Sequence, residues 1–408
     1  MKPNPGKTLH IRDRLHWCWW VLLVLLLLLA SYALAVRIVN SIDYHNNDFF
    51  TFWLAGHMVM HGGDPYSPVQ WVAGHHAFGV TWIPNQAYVY PLPLSLLFAP
   101  LGLLSLHQAF IVWVALSIIM ILVSLALLLK IQAGSGPFAI PLFAGIIFFR
   151  PTTLTLFTGQ ISSWLLLLVT ITAILWEKGK WEWGSLLLPI LMLKPNLGAP
   201  MVVLLGLWLL FQKRYRSILA MVVMGIILLA AGFLQNPHWV SAYWGIGSNK
   251  LAETFGGSPT VWGLGALISH NQISATLIIG CLAGLLVLFG FFRALMPSHA
   301  TLRPVSVLAL AVCVTLLVTP YTWTYDQLLL ILPLTMAILA MDRMGMRFVV
   351  TATVFLGIDL LAVILLIFDT LMQVEILNVL VPLAVFGLCL LYLTRLIPSE
   401  NQVAVSKS

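Results

Sequence analysis

The sequence predicts an all-α polytopic membrane protein: a bundle of about twelve transmembrane helices, with interfacial helices in its first outer loop. Three observations point there. Hydrophobic residues make up 61% of the 408 and charged residues only 8%, against roughly 45–50% and about 25% in a soluble domain. Apolar runs of roughly 18 residues or more recur from end to end, which is the length a helix needs to cross lipid. The runs are continuous and do not alternate, as in the leucine-rich stretch at 21–30. That excludes a β-barrel, the other structure whose backbone can satisfy itself in lipid.

Taken in order, the spans fall at 17–39, 107–130, 138–150, 160–177, 182–194, 196–212, 217–234, 272–293, 304–320, 325–341, 348–368 and 376–395. The first follows a basic leader carrying Lys2, Lys7, Arg12 and Arg14. It is too long for a signal-peptide core and has no small-residue cleavage site, so it reads as a retained anchor. The third and fifth are short for a crossing and allow a tilted or re-entrant path.

Charge tests this scheme. With the N-terminus inside, the outer side receives only Arg37, Arg150, Lys194 and Lys250, and the other 16 of the 20 basic residues lie inside. Asp43, Asp48, Asp64, Glu253, Asp326, Asp369 and Glu375 fall outside or at the outer boundary. Both termini are then cytoplasmic and the protein is a multi-pass protein of a plasma membrane, expected to be bacterial. The formal net charge of +7 is spread thinly between apolar runs, so it marks topology and no nucleic-acid surface. Cys18, Cys281, Cys313 and Cys389 all lie in apolar segments without metal spacing, and free, buried thiols are expected.

The chain reads as one integral membrane domain, 1–408, with two long outer segments, 40–106 and 235–271. The first has acids, histidines and aromatics but no Lys or Arg, and both are rich in Trp, Tyr and Phe. Long connections are usually functional or disordered, and the aromatic content predicts folded segments lying at the membrane interface.

Candidate chemistry sits at four places. Asp48, in Asn-Asp-Phe-Phe just past the first helix, is either an N-cap or a general base whose proton affinity rises at the lipid edge; Asp43 is the competing acid. Asp64 and Tyr66 lie in Gly-Gly-Asp-Pro-Tyr, a turn that fixes the chain and can also line a sugar site through Tyr66. Lys194, before Pro195, sits in an apolar hairpin. Inserting a lysine there costs roughly 2.5–3.5 kcal/mol, which suggests either a snorkelling helix end or a cation for a lipid phosphate. Asp326, in the break 319–327, either caps the next helix or shares a cavity with Asp48. Gln160, after Gly159, opens another outer helix end and can hydrogen-bond a sugar. His57, His61, His75 and His76 show no recognised zinc spacing, so no metal is expected, nor any other cofactor. No phosphate-binding glycine loop follows a strand, so a nucleotide-binding Rossmann domain is not expected.

These motifs, in this order, resemble glycosyltransferase family 87, enzymes of the GT-C architecture that include polyprenol-phosphate-mannose-dependent mannosyltransferases. The matching pieces are Asn47-Asp48-Phe49-Phe50 with Trp53-Leu54-Ala55-Gly56, Gly62-Gly63-Asp64-Pro65-Tyr66, Tyr90-Pro91-Leu92-Pro93, Gly159-Gln160, Lys194-Pro195 and Thr319-Pro320-Tyr321 through Asp326. The resemblance implies a GT-C-like bundle and a cell-envelope enzyme without cofactor. Its donor would be a polyprenyl-phosphate-linked hexose such as mannose, its acceptor a lipid- or glycan-linked hydroxyl, and its product an inverted bond formed outside the cytoplasm. It maps the family's aspartate base onto Asp48 and its donor-phosphate lysine onto Lys194. Tyr90, Gln160, Trp323, Tyr325 and Asp326 join Asp64 and Tyr66 as substrate-binding candidates. Some relatives carry Trp-x-His near the late break. Here the stretch is Trp323-Thr324-Tyr325-Asp326, so that histidine's role is absent or moved. The competing class is a transporter or flippase for a lipid-linked or small polar substrate. It would account for Lys194, Asp326 and Asp359 within apolar runs, but no internal repeat supports it.

Overall fold

The computed structural model describes residues 5–131, 145–146, 148–296, 302–372 and 375–393. Most of the span expected at 138–150 lies outside the described residues. So do Lys2, Arg395 and Lys407, and the side chains of Lys7, Arg12, Arg14 and Cys18. The described chain is helical, with no strand. Helix α1 (Pro5–Val39) leads into the long segment 40–106, which folds as α2 (Asp48–Met60), α3 (Pro68–Ala77) and α4 (Leu92–Phe98). Next come α5 (Leu106–Ile131), α6 (Arg150–Thr158), α7 (Ser162–Glu177), α8 (Trp181–Leu187), α9 (Pro195–Phe211) and α10 (Tyr215–Gln235). The segment 235–271 holds α11 (Trp239–Thr254) and α12 (Val261–Ile268), followed by α13 (Ile273–Leu295), α14 (Pro304–Val318), α15 (Ile331–Arg343), α16 (Phe348–Met372) and α17 (Leu380–Tyr392).

Among the described residues, six helical stretches are long and apolar enough to cross a membrane: Val21–Val39, Leu106–Lys130, Tyr215–Gln235, Ile273–Leu295, Thr324–Arg343 and Phe348–Leu371. Five shorter apolar stretches, Ser162–Glu177, Trp181–Leu193, Pro195–Phe211, Pro304–Val318 and Ile376–Tyr392, match the remaining expected spans within the described residues. Burial sorts them. Only 17% of the most apolar window of Tyr215–Gln235 is buried, against 94% of that of Thr324–Arg343. The exposed leucines and valines of α1, α10, α13 and α16 form far more apolar surface than a water-soluble monomer carries, so they read as the lipid-facing belt. Helix α14 lies at the centre, every residue from Val305 to Leu317 buried. A helix apolar on all sides must be enclosed.

Cys313 and Cys389 are buried, but Cys281 is exposed, which corrects the expectation for that thiol. It shares the outer face of α13 with exposed Leu277, Ile278 and Leu285, where lipid can serve as an apolar neighbour.

Among the described residues, three ion pairs join the ends of helices: Lys194–Asp326, Arg150–Asp369 and Arg303–Glu177. Each joins groups that the span scheme puts at the same end of the bundle. Glu177 also accepts from the Val305 backbone N–H at 3.1 Å, satisfying an amide at the start of α14 that has no partner within the helix.

The segment 40–106 packs into the core of the protein. Helix α2 buries Phe49, Phe50, Phe52, Trp53 and Leu54 together under α3 and α4. Gly56 makes this possible, since a Cβ there would stand 2.6 Å from the backbone of Phe98. The aromatic layer thus becomes core, and it holds the start of α2 rigidly at the mouth of the bundle.

Candidate active site

Four chain breaks converge at that mouth. The first is the start of α2. Its N-cap is Asn47, whose side chain accepts from the Phe49 N–H at 3.1 Å and donates to the Phe157 carbonyl at 2.8 Å, tying α2 to α6. With Asn47 capping the helix, Asp48 is left free, and one of its oxygens accepts from Gln160 Nε2 at 2.8 Å.

The second break is Gly159, which ends α6 in the left-handed region at φ 65°. Its missing side chain also matters, because a Cβ would stand 2.6 Å from that of Phe49. The Trp113 indole donates to the Gly159 carbonyl at 2.8 Å, and the turn so fixed points Gln160 inward.

The third is Lys194, between the 3₁₀ turn Leu188–Leu193 and α9. Its backbone at φ −122°, ψ 83° is non-helical, as the ring of a following proline requires. The fourth is the segment 319–323 after α14. Pro320 keeps Thr319 extended, and Asn196 Nδ2 donates to the Tyr321 carbonyl at 3.1 Å, tying this segment to α9.

A chain of polar contacts links the four. Lys194 Nζ donates to Asp326 Oδ1 at 2.5 Å and to Gln160 Oε1 at 3.0 Å, and Gln160 Nε2 reaches Asp48. The amide orientation is self-consistent, with oxygen toward the ammonium and nitrogen toward the carboxylate. Asp326, fully buried, also accepts from the Ser162 and Thr322 hydroxyls at 3.0 Å each. The Lys194 ammonium sits 4.7 Å from the Tyr325 ring centroid, within cation–π range. A buried pair is tolerable only when its remaining valences are met in this way.

A cavity of about 290 Å³ opens over this chain, lined by Asp48, Thr51, Trp82, Pro84, Asn85, Val89, Tyr90, Gln160, Lys194, Asn196, Lys250, Tyr321, Trp323 and Tyr325. Its size is at the lower end of small-molecule sites, which span roughly 300–1,000 Å³. A larger space of about 920 Å³ lies between α1, α5 and α6, but its walls are mainly apolar and carry no carboxylate. The candidate residues gather at the smaller cavity. Asp48, half-buried there, is the cavity's carboxylate. Burial pushes its proton affinity up, while the Gln160 hydrogen bond and the Lys194 charge pull it down, and the net shift is upward. Burial holds the Tyr90 phenol well above its ordinary value, so it stays a neutral hydrogen-bond donor.

Six of the sequence candidates therefore share this cavity: Asp48, Tyr90, Gln160, Lys194, Trp323 and Tyr325. Asp326 lies directly beneath, paired with Lys194. Asp64 and Tyr66 are not brought to it. Asp64 accepts from the Tyr66 N–H at 3.0 Å and so closes its turn. Tyr66 is buried behind Tyr90, donating to its carbonyl at 2.7 Å. Asp43 turns toward His45 and Asn46, which leaves Asp48 without a rival in the cavity. His57, His61 and His75 each bond a backbone carbonyl. Sequence reasoning overlooked Trp82, Asn85, Tyr321 and Lys250. Of these Lys250 carried a signal, as one of the four outer cations, and Tyr321 another, as part of the Thr-Pro-Tyr piece at the late break.

The fold and this cavity define a helical membrane protein with an acid, a cation and aromatic walls gathered at one end of its bundle. The sequence model of glycosyltransferase family 87 matches residues 88–320, more than half of the chain, and the chain belongs to that family. No curated protein and no solved structure matches it. The matched region contains Tyr90, Gln160, Lys194 and Lys250. Asp48 lies before it and Asp326 after it.

Proposed function

We propose that this membrane glycosyltransferase moves a hexose, such as mannose, from a polyprenyl-phosphate donor to a lipid- or glycan-linked hydroxyl on the extracytoplasmic side. The observation that carries this reading is the convergence of Asp48, Gln160 and Lys194 on one aromatic-walled cavity. Asp48 is the base: the acceptor oxygen attacks the anomeric carbon, the bond to the phosphate oxygen breaks, and the acceptor proton passes to Asp48 as the polyprenyl phosphate leaves. A raised proton affinity suits a base working near neutral pH. One carboxylate in the cavity supplies a base without a second acid to act as nucleophile, since Asp326 is engaged by Lys194. That favours a single displacement with inversion.

Two of the Lys194 ammonium hydrogens are used, on Asp326 and Gln160, and the third remains for the donor phosphate. Trp82, Tyr90, Trp323 and Tyr325 offer flat walls for a sugar ring and hydrogen-bond donors for its hydroxyls. Topology follows the charge asymmetry, with both termini in the cytoplasm and the cavity outside, in a bacterial plasma membrane.

Purified protein in vesicles, given a labelled polyprenyl-phosphate hexose and lipid acceptors, is expected to form a new glycolipid, and the Asp48→Asn variant is expected to form it at least about a hundredfold more slowly at equal protein level. A transporter would instead move label across the vesicle wall with no new product. That outcome, or full activity in Asp48→Asn, overturns this reading.

A further inference from the structure

The cations at this end of the bundle differ in how far their charge is already met. Lys194 is paired with Asp326 at 2.5 Å and has side-chain exposure of only 3%, so the pair presents a dipole and no net charge. Arg150 is held by Asp369. Arg37 lines the apolar space between α1, α5 and α6, away from the acid. Lys250 lines the cavity itself. Its acidic neighbour, Glu253, stands 3.8 Å away on a side chain 67% exposed to solvent, an arrangement that neutralises little.

Helix α11 explains how the lysine comes to be there. Trp239, Tyr243, Ile246, Lys250 and Thr254 recur at helical spacing and are buried or half-buried, so they form the inward face. An adjoining face exposes Val240, Trp244 and Leu251, and the side turned fully away carries exposed Ser241, Gly245 and Ser248. An apolar face carrying tryptophan suits the zone of lipid headgroups. The helix thus divides its surface: one face fits the membrane surface, and the face beside it delivers a cation to the cavity.

We propose that Lys250 is the phosphate anchor of this enzyme, supplying the uncompensated positive charge that binds the lipid-linked phosphate and stabilises it as it leaves. The proposal rests on the lipid-phosphate donor reading above and deepens it. The donor phosphodiester carries one negative charge. When the bond to the anomeric carbon breaks, its electron pair stays on the phosphate oxygen, and the departing monoester carries close to two. A cation with spare charge therefore gains more from the leaving group than from the donor, which is the condition for accelerating the step. The Lys194–Asp326 pair is neutral, so it can give the phosphate one hydrogen bond from Lys194 but no such spare charge. It holds Gln160, and through it Asp48, in place. The Lys250 charge is also felt at Asp48, whose proton affinity it lowers.

The test uses the full chain in lipid nanodiscs, with farnesyl phosphate and uncharged farnesol as probes, followed by quenching of cavity tryptophan fluorescence. The wild-type protein is expected to prefer farnesyl phosphate. Lys250→Met is expected to lose at least about tenfold of that preference, the scale of one charge-assisted contact, and Lys250→Arg to recover most of it. In turnover, Lys250→Met is expected to lower kcat more than it raises the donor KM. An unchanged phosphate preference in Lys250→Met overturns the proposal and leaves the donor class standing. A wild-type protein indifferent to the phosphate overturns both.

Discussion

Two buried ion pairs, alike in chemistry, have opposite surroundings. Arg150 meets Asp369 at 2.6 Å, and Asn378 closes the pair into a triangle by accepting from Arg150 at 3.0 Å and donating to Asp369 at 2.7 Å. Lys194 meets Asp326 at 2.5 Å, but its next partner is Gln160, whose far side touches Asp48 and the cavity. The first arrangement ends on itself and ties α6 to α16 and to the start of α17. The second runs on to a carboxylate open to a ligand. A buried pair is thus no mark of function by itself. What matters is whether its hydrogen-bond chain terminates in the protein or at a cavity.

Double substitutions put that contrast at risk. The largest effect is expected at the open end: Asp48→Asn should lower transfer by about 10²–10⁴-fold, the usual worth of a positioned base, with the membrane content of folded protein unchanged. Next come the pairs. Lys194→Ala or Asp326→Ala alone leaves a buried charge unmatched and is expected to cost about 3–5 kcal/mol of stability, read as a fall in melting temperature. Replacing both partners with apolar residues should restore much of that stability without restoring transfer. The same double replacement at Arg150 and Asp369 should restore both. If the two double variants behave alike, the distinction between a closed and an open pair fails.

Gly159→Ala is expected to be smaller, about 1–3 kcal/mol from the left-handed backbone plus a clash with Phe49, accompanied by reduced transfer as Gln160 is displaced. The effect of pH is subtler still. Asp48 acts as base only when ionised, and its proton affinity is raised, so activity is lost as pH falls through a midpoint above the ordinary carboxylate range. Gln160 donates to the ionised form and holds that midpoint down. Gln160→Leu should therefore move the acid limb of the pH–rate profile to higher pH, and a limb that stays put removes Gln160 from contact with the base. Tyr66→Phe should do least. It loses one hydrogen bond behind Tyr90, worth about 1 kcal/mol, with little change in transfer.

The same division between open and closed surroundings separates what was legible in the chain from what was not. Apolar run length announced the helices because lipid leaves the backbone no other way to satisfy itself. Eleven of the twelve expected spans fall on described helices, and the twelfth lies mostly outside them. The breaks were legible too: Gly159, Pro195 and Pro320 are local instructions, and each marks a point where a polar side chain turns inward. Asp64 and Tyr66 show the limit. Their Gly-Pro setting correctly signals a turn, but nothing in it tells whether that turn faces a ligand or the core.

By itself the sequence determined the class of protein, the ends of its helices and the short roster of charged groups set in apolar surroundings, because the cost of a charge or a free amide in lipid is paid residue by residue. Only the tertiary structure decided which of those charges meet. The capping of α2 by Asn47 frees Asp48, the bond through Gln160 joins it to Lys194, and the inward face of α11 brings up Lys250. These contacts span separations such as the 132 residues between Lys194 and Asp326, and they arise from the packing of helices against one another, which no local pattern records.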